Sequence, residues 1–139
     1  MPPQPKFVIF AHHATYDTLH QVATLGLTAA AMGKDVIVIL LFWTIKKLAE
    51  GNIDAIDFPP EYASSADEVA RLLKEKKVPK ISEMFHDAKH VGKFRLIACS
   101  AGLEYMGVDS AVVEKNVDEV MGLPAIIALT SDAETKLFI

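Results

Sequence analysis

The sequence predicts an α/β domain of three layers, with a mainly parallel five-stranded sheet between helices. Three observations predict it. Apolar strand-like runs alternate with helical segments in the order β-α-β-α-α-β-α-β-α-β. The run Val36-Ile37-Val38-Ile39-Leu40-Leu41-Phe42 is apolar at every position, as a central parallel strand covered by helices on both faces must be. The chain has 139 residues, 51% hydrophobic and 23% charged, which suits one domain with one core. A chain of this size buries roughly two-thirds of its unfolded surface. This balance excludes a disordered chain, a collagen-like repeat and a low-complexity polymer. No repeat or linker divides residues 1–139, so they are read as a single domain.

The elements follow in order. Residues 7–11 are a short apolar strand after a proline-rich start. Over residues 15–32, Leu19, Val22, Ala23, Gly26, Ala29 and Ala30 recur at helical spacing, with Thr15 as cap and Gly33 at the exit. The second strand, 36–42, leads into a short helix over 43–50, closed by Gly51-Asn52. Residues 52–64, with Pro59-Pro60, read as loop. Ser65 and Glu68 have the spacing of a capping box for a helix carrying Val69, Leu72 and Leu73. Pro79 interrupts it, and an amphipathic helix over 81–91 ends at Gly92. The third strand spans 94–99, and a short helix over 100–106 ends at Gly107. Residues 109–121 are ambiguous between helical turn and strand. A helix over 123–129 and a strand over 135–139 complete the chain.

In open parallel sheets, ligands bind beyond the carboxyl ends of the strands. Here those ends are His12-His13, Trp43 and Cys99. With strand order 2-1-3-4-5, the first and third strands are neighbours, and Cys99 shares a crevice with His12 and His13. Cys99 closes a strand at the start of a helix, where free N–H groups stabilise a thiolate. Ser100 follows it, and Gly102 permits close backbone approach to a bound atom. Cys99 is therefore the candidate catalytic residue, and His12, His13, Ser100, Gly102 and Trp43 are candidate substrate-binding residues. The alternative is that Cys99 is an inert buried hydrophobe.

Other chemistry is disfavoured. His86 and His90 stand four apart on a helix, but Asp87-Ala88-Lys89 between them lacks the zincin glutamate, and no third ligand is evident. No metal and no cofactor are expected. Walker A, Gly-x-Gly-x-x-Gly, Cys-x-x-Cys and serine-elbow motifs are absent. Tyr105 and Met106 read as core. The formal charge of −4 argues against nucleic acid. Residues 71–95 carry eight basic side chains against three acidic ones, and residues after 95 carry two against seven. The basic segment reads as solvated helix faces or as a docking surface for an acidic partner. No apolar stretch reaches the ~20 residues that span a bilayer. One cysteine and no targeting segment point to a cytoplasmic protein. The mean hydropathy of +0.26 is high for a small monomer and suggests a homo-oligomer.

Phe94-Arg95-Leu96-Ile97-Ala98-Cys99-Ser100, then Met106-Gly107-Val108 and Val120-Met121-Gly122, resemble the DsrE/DsrF/DsrH superfamily. The first strand with its Ala/Gly-rich helix and the apolar second strand are also similar. The resemblance implies a flavodoxin-like fold assembled as trimers or hexamers. It also implies sulfur relay: a sulfurtransferase or carrier holding a persulfide on Cys99 and passing sulfur to a TusA-like protein or another thiol partner. The competing expectations are a non-catalytic small-molecule, anion-binding or assembly module and, ranked third, a single-cysteine peroxide reductase or redox sensor.

Overall fold

The structure, a computed structural model, describes residues 2–139. Five parallel strands form one sheet: β1 (Lys6–Ala11), β2 (Asp35–Leu40), β3 (Lys93–Cys99), β4 (Glu119–Met121) and β5 (Thr135–Phe138). The α-helices are α1 (Tyr16–Ala31), α2 (Trp43–Ala49), α3 (Ala66–Glu75), α4 (Ile81–Val91), α5 (Ser100–Tyr105), α6 (Ser110–Glu114) and α7 (Leu123–Thr130). The architecture is the expected three-layer, flavodoxin-like one.

Strand order is β4-β3-β2-β1-β5, which corrects the expected 2-1-3-4-5. The reason lies in β2. Val36 to Leu40 are all at most 2% exposed, and burying each such side chain contributes about 1.5–3 kcal/mol relative to leaving it in water. That gain needs cover on both faces and a neighbour on each edge. The middle of the sheet supplies both; the expected order puts strand 2 at an edge.

Side chains alternate between two cores. Ile9, Val36, Val38, Leu40, Phe94, Leu96 and Ala98 face one way, against α1, α2, α4, Leu103 of α5 and Val113 of α6. Val8, Ile37, Ile39, Ile97 and Cys99 face the other way, where α7 supplies Ile126 and Leu129. The two outer layers are thus unequal.

Helix α4 lies beside α1 on the broader layer. Between them Gly92 caps α4 so closely over α1 that an added Cβ would stand 2.5 Å from the Ala30 carbonyl oxygen. The Glu83 carboxylate accepts from the Lys80 N–H at 3.0 Å, closing the start of α4.

Local expectations differ from the structure in three places. Residues Pro60–Ser65 form a 3-10 turn that runs straight into α3, so Ser65 has helical backbone angles and its side chain caps nothing. The ambiguous stretch 109–121 contains both α6 and β4, with Asp109 capping α6 through the Ala111 N–H. Tyr105 is exposed, because α5 turns it outward toward Phe42. The basic and acidic segments meet where Lys89 Nζ donates to both Asp118 oxygens, at 2.7 and 2.8 Å.

Candidate functional site at the carboxyl ends of β1 and β2

Two consecutive turns build the site. Strand β1 passes through His12, His13 and Ala14 into α1. Strand β2 passes through Leu41 and Phe42 into α2. Phe42 makes a sharp elbow with φ 45° and ψ −109°, a conformation that costs a side-chain-bearing residue about 1–3 kcal/mol. Thr44, fully buried, ties the elbow down. Its hydroxyl accepts from the Leu41 N–H at 3.0 Å and lies within donating distance of the Ala11 and Leu41 carbonyls, at 2.8 and 2.9 Å. The elbow starts α2 at Trp43.

Helix α2 then presents Trp43, Lys46, Lys47 and Glu50, spaced by helical turns on one face, to a cleft of about 550 Å³. Opposite stand His13, Ala14, Thr15 and Thr18 of the first turn, with Asp57, Pro59 and Pro60 closing the side. A volume in this range suits a small organic molecule.

Lys47 fixes these walls together. It is 7% exposed. Its ammonium donates to the Ala14 carbonyl at 2.7 Å, to Asp57 Oδ1 at 2.8 Å and to the Ala55 carbonyl at 3.3 Å. Asp57 in turn accepts the Tyr16 N–H through both its carbonyl, at 2.9 Å, and Oδ1, at 2.8 Å. One buried cation therefore joins α2, the β1–α1 turn and the loop before Pro59. Burial, aided by the nearby Asp54 carboxylate, raises the Tyr16 phenol above its ordinary pKa.

The residues singled out from sequence are dispersed. His13 and Trp43 line the cleft together. His12 stands beside it, its ring 4.1 Å from that of His13 and its N–H bonded to the Ile139 carbonyl at 2.9 Å. Cys99, Ser100 and Gly102 are not among the lining residues. The expected crevice of Cys99 with His12 and His13 does not form. Strand β2 lies between β1 and β3, a separation of two strand spacings, roughly 10 Å. Cys99 also points into the α7-side core, with Ile39, Ile97 and Ile126, and is only 2% exposed. The α1 and α2 side chains of the cleft region pack on the opposite face. Ser100 is exposed and opens α5. Gly102 does permit a close approach, but of protein: an added Cβ would meet Ile45 Cδ1 at 2.5 Å.

Sequence reading missed Lys46, Lys47, Glu50, Asp57, Thr15 and Thr18. The available signal was Trp43, Lys46 and Lys47 on one face of a seven-residue helix, followed by Glu50 at its C-cap, with the buried Ile45 on another face. Among the described residues, no three His, Cys, Asp or Glu side chains cluster as metal ligands. His86 and His90 lie with ring centroids 4.3 Å apart on α4, away from the cleft lining. No helix among the described residues is long and apolar enough to cross a membrane.

No family model matches the chain, and no curated protein does. Solved structures similar to it include two proteins. One is BT1422 from Bacteroides thetaiotaomicron, with 18% identity, a TM-score of 0.59, and 97% of this chain and 95% of that one covered. The other is MTH1491 from Methanobacterium thermoautotrophicum, with 14% identity, a TM-score of 0.58, and coverage of 98% and 100%. Each is described as a protein of unknown function. The likeness runs over nearly the full length of all three chains and is one of fold.

Proposed function

We propose that this protein is a binding module that holds a small molecule in the cleft between α1 and α2, with no covalent step at Cys99. The observation that carries the reading is the cleft itself. It is sized for a ligand, walled by the exposed Trp43 and braced from beneath by the buried Lys47, which pairs with the solvent-facing Asp57. The strained Phe42 elbow beside it supports the reading, because backbone strain persists where surrounding contacts enforce it and clusters at functional sites. A fragment library titrated into isotope-labelled protein tests it. Fragments that bind are expected to move the amide resonances of His13, Ala14 and Thr18 and the indole N–H of Trp43, the single tryptophan. Binders that map only elsewhere overturn it.

Persulfide relay is the second proposal. It is favoured by the resemblance noted above and by the place of Cys99 as the N-cap residue just before α5. The Cys99 thiolate would displace a polysulfide sulfur, forming an S–S bond and releasing the shortened polysulfide. A partner thiolate would then take the outer sulfur and restore Cys99. Such exchange needs an accessible thiolate, and the burial of Cys99 weighs against it. The binding reading expects a thiol that labels slowly until denaturant is added, and no sulfur adduct by intact mass after polysulfide treatment of the folded protein. A rapid adduct that disappears in Cys99→Ser supports relay instead.

We also propose that the α7 side of the sheet packs against a second copy of this chain. That side is covered by the eight-residue α7 with Ala101 of α5, and it leaves Ile127, Leu123 and Phe138 exposed, with Phe138 stacked on Phe10 at 4.7 Å.

A further inference from the structure

We propose that the cleft selects a flat aromatic carboxylate, an inference that rests on the cleft being the binding site. Its walls divide by chemistry. The apolar part is Trp43, 53% exposed, together with the rings of Pro59 and Pro60. The flat indole favours a planar ligand, since stacked aromatic contacts add to the gain from buried area, and the two proline rings add apolar surface beside it.

The polar part sets two lysines against the carboxylates of Glu50 and Asp57, and one of the lysines is free to take a single negative charge. Of the two lysines, Lys47 is committed to Asp57 and to two carbonyls. Lys46 is not. Its ammonium lies 5.9 Å from the Trp43 ring centroid and 3.9 Å from Glu50, at the outer limit of an ion pair between two half-exposed side chains. A contact that long, in water, is displaced at little cost. A carboxylate held over the indole would therefore meet Lys46 directly.

The opposite wall is compatible with this charge. Thr15 and Thr18 place hydroxyls 3.1 Å apart at the amino end of the sixteen-residue α1, the positive end of that helix. His13 adds an exposed imidazole. A phosphate fits less well, because it calls for several cations or a bidentate arginine. The lining contains no arginine and only one uncommitted lysine.

Naphthoate, naphthamide and inorganic phosphate, titrated separately into the isotope-labelled protein, test the assignment. The resonances followed are the Trp43 indole N–H and the Ala14 and Thr18 amides. Naphthoate is expected to move all three with a Kd of about 1 mM, typical for a ligand of that size. Naphthamide is expected to bind at least fivefold more weakly, and phosphate not detectably. Lys46→Met, at an exposed position, should cost naphthoate at least fivefold and leave naphthamide unchanged. Equal affinity for naphthamide, tighter binding of phosphate, or indifference of naphthoate to Lys46→Met overturns the carboxylate assignment and leaves the cleft as the site. Failure of all three compounds to move any of these resonances overturns the aromatic carboxylate and counts against the cleft reading as well.

Discussion

Lys47 is the residue on which the geometry of the cleft turns. Removing a buried donor leaves its acceptors unpaired. Lys47→Met keeps the volume but strands the Ala14 carbonyl and frees Asp57. It is expected to lower the unfolding free energy by about 2 kcal/mol, read from urea unfolding; an unchanged midpoint would show that the pair braces nothing. Tyr16 gives a pH signature. Its folded pKa is raised, so its contribution to stability is fully present below the unfolded value, about 10. That contribution is lost as pH rises through the higher folded value. The melting temperature should fall more steeply above pH ~10 for the native chain than for Tyr16→Phe. Cys99 shows what position along the chain fixes and what it leaves to the fold. The end of a strand at the start of a helix suits a reactive thiol, but strand alternation turns this side chain into the apolar α7-side core.

At the scale of elements, the fit of α1 to α4 depends on Gly92. Its φ of −170° is ordinary extended backbone, so the requirement is space. Gly92→Ala drives a methyl against the Ala30 carbonyl, which belongs to helical backbone and cannot swing aside. Overpacking of this kind costs about 1–3 kcal/mol, and thermal unfolding of the variant should show a loss in that range. A neutral result would mean that α4 shifts as a unit. Most elements were legible before the structure because their periodicity is local. Helix α1 and strands β1, β2 and β3 lie where spacing and apolar runs place them. The capping box at Ser65 failed because the preceding residues were already winding as a 3-10 turn. Serine cannot cap a helix that starts upstream of it.

For the whole molecule, the unequal layers set the expectation of assembly. Among the described residues, α1, α2, α4 and buried side chains of α5 and α6 cover one face, and the short α7, with Ala101 of α5, covers the other. Exposed Phe138 (72%) and Ile127 (66%) lie on that side. Light scattering coupled to size exclusion is expected to give a mass above the 15.2 kDa of one chain. Ile127→Glu is expected to shift the mass toward the monomer by placing a charge in an apolar contact. A native chain that runs as a monomer at all concentrations would end the proposal.

Composition and periodicity by themselves determined the α/β class, the parallel sheet and the central character of β2, because each follows from which side chains must leave water within a short window of chain. His13 and Trp43 could also be placed at strand ends from sequence alone. Only the tertiary structure decided the strand order, the face to which Cys99 belongs, and the meeting of Lys47 with Ala14 and Asp57. Those depend on which β-strands pair and on contacts between segments 10 to 33 residues apart, and local hydrophobic pattern carries no record of which distant segment will supply the partner.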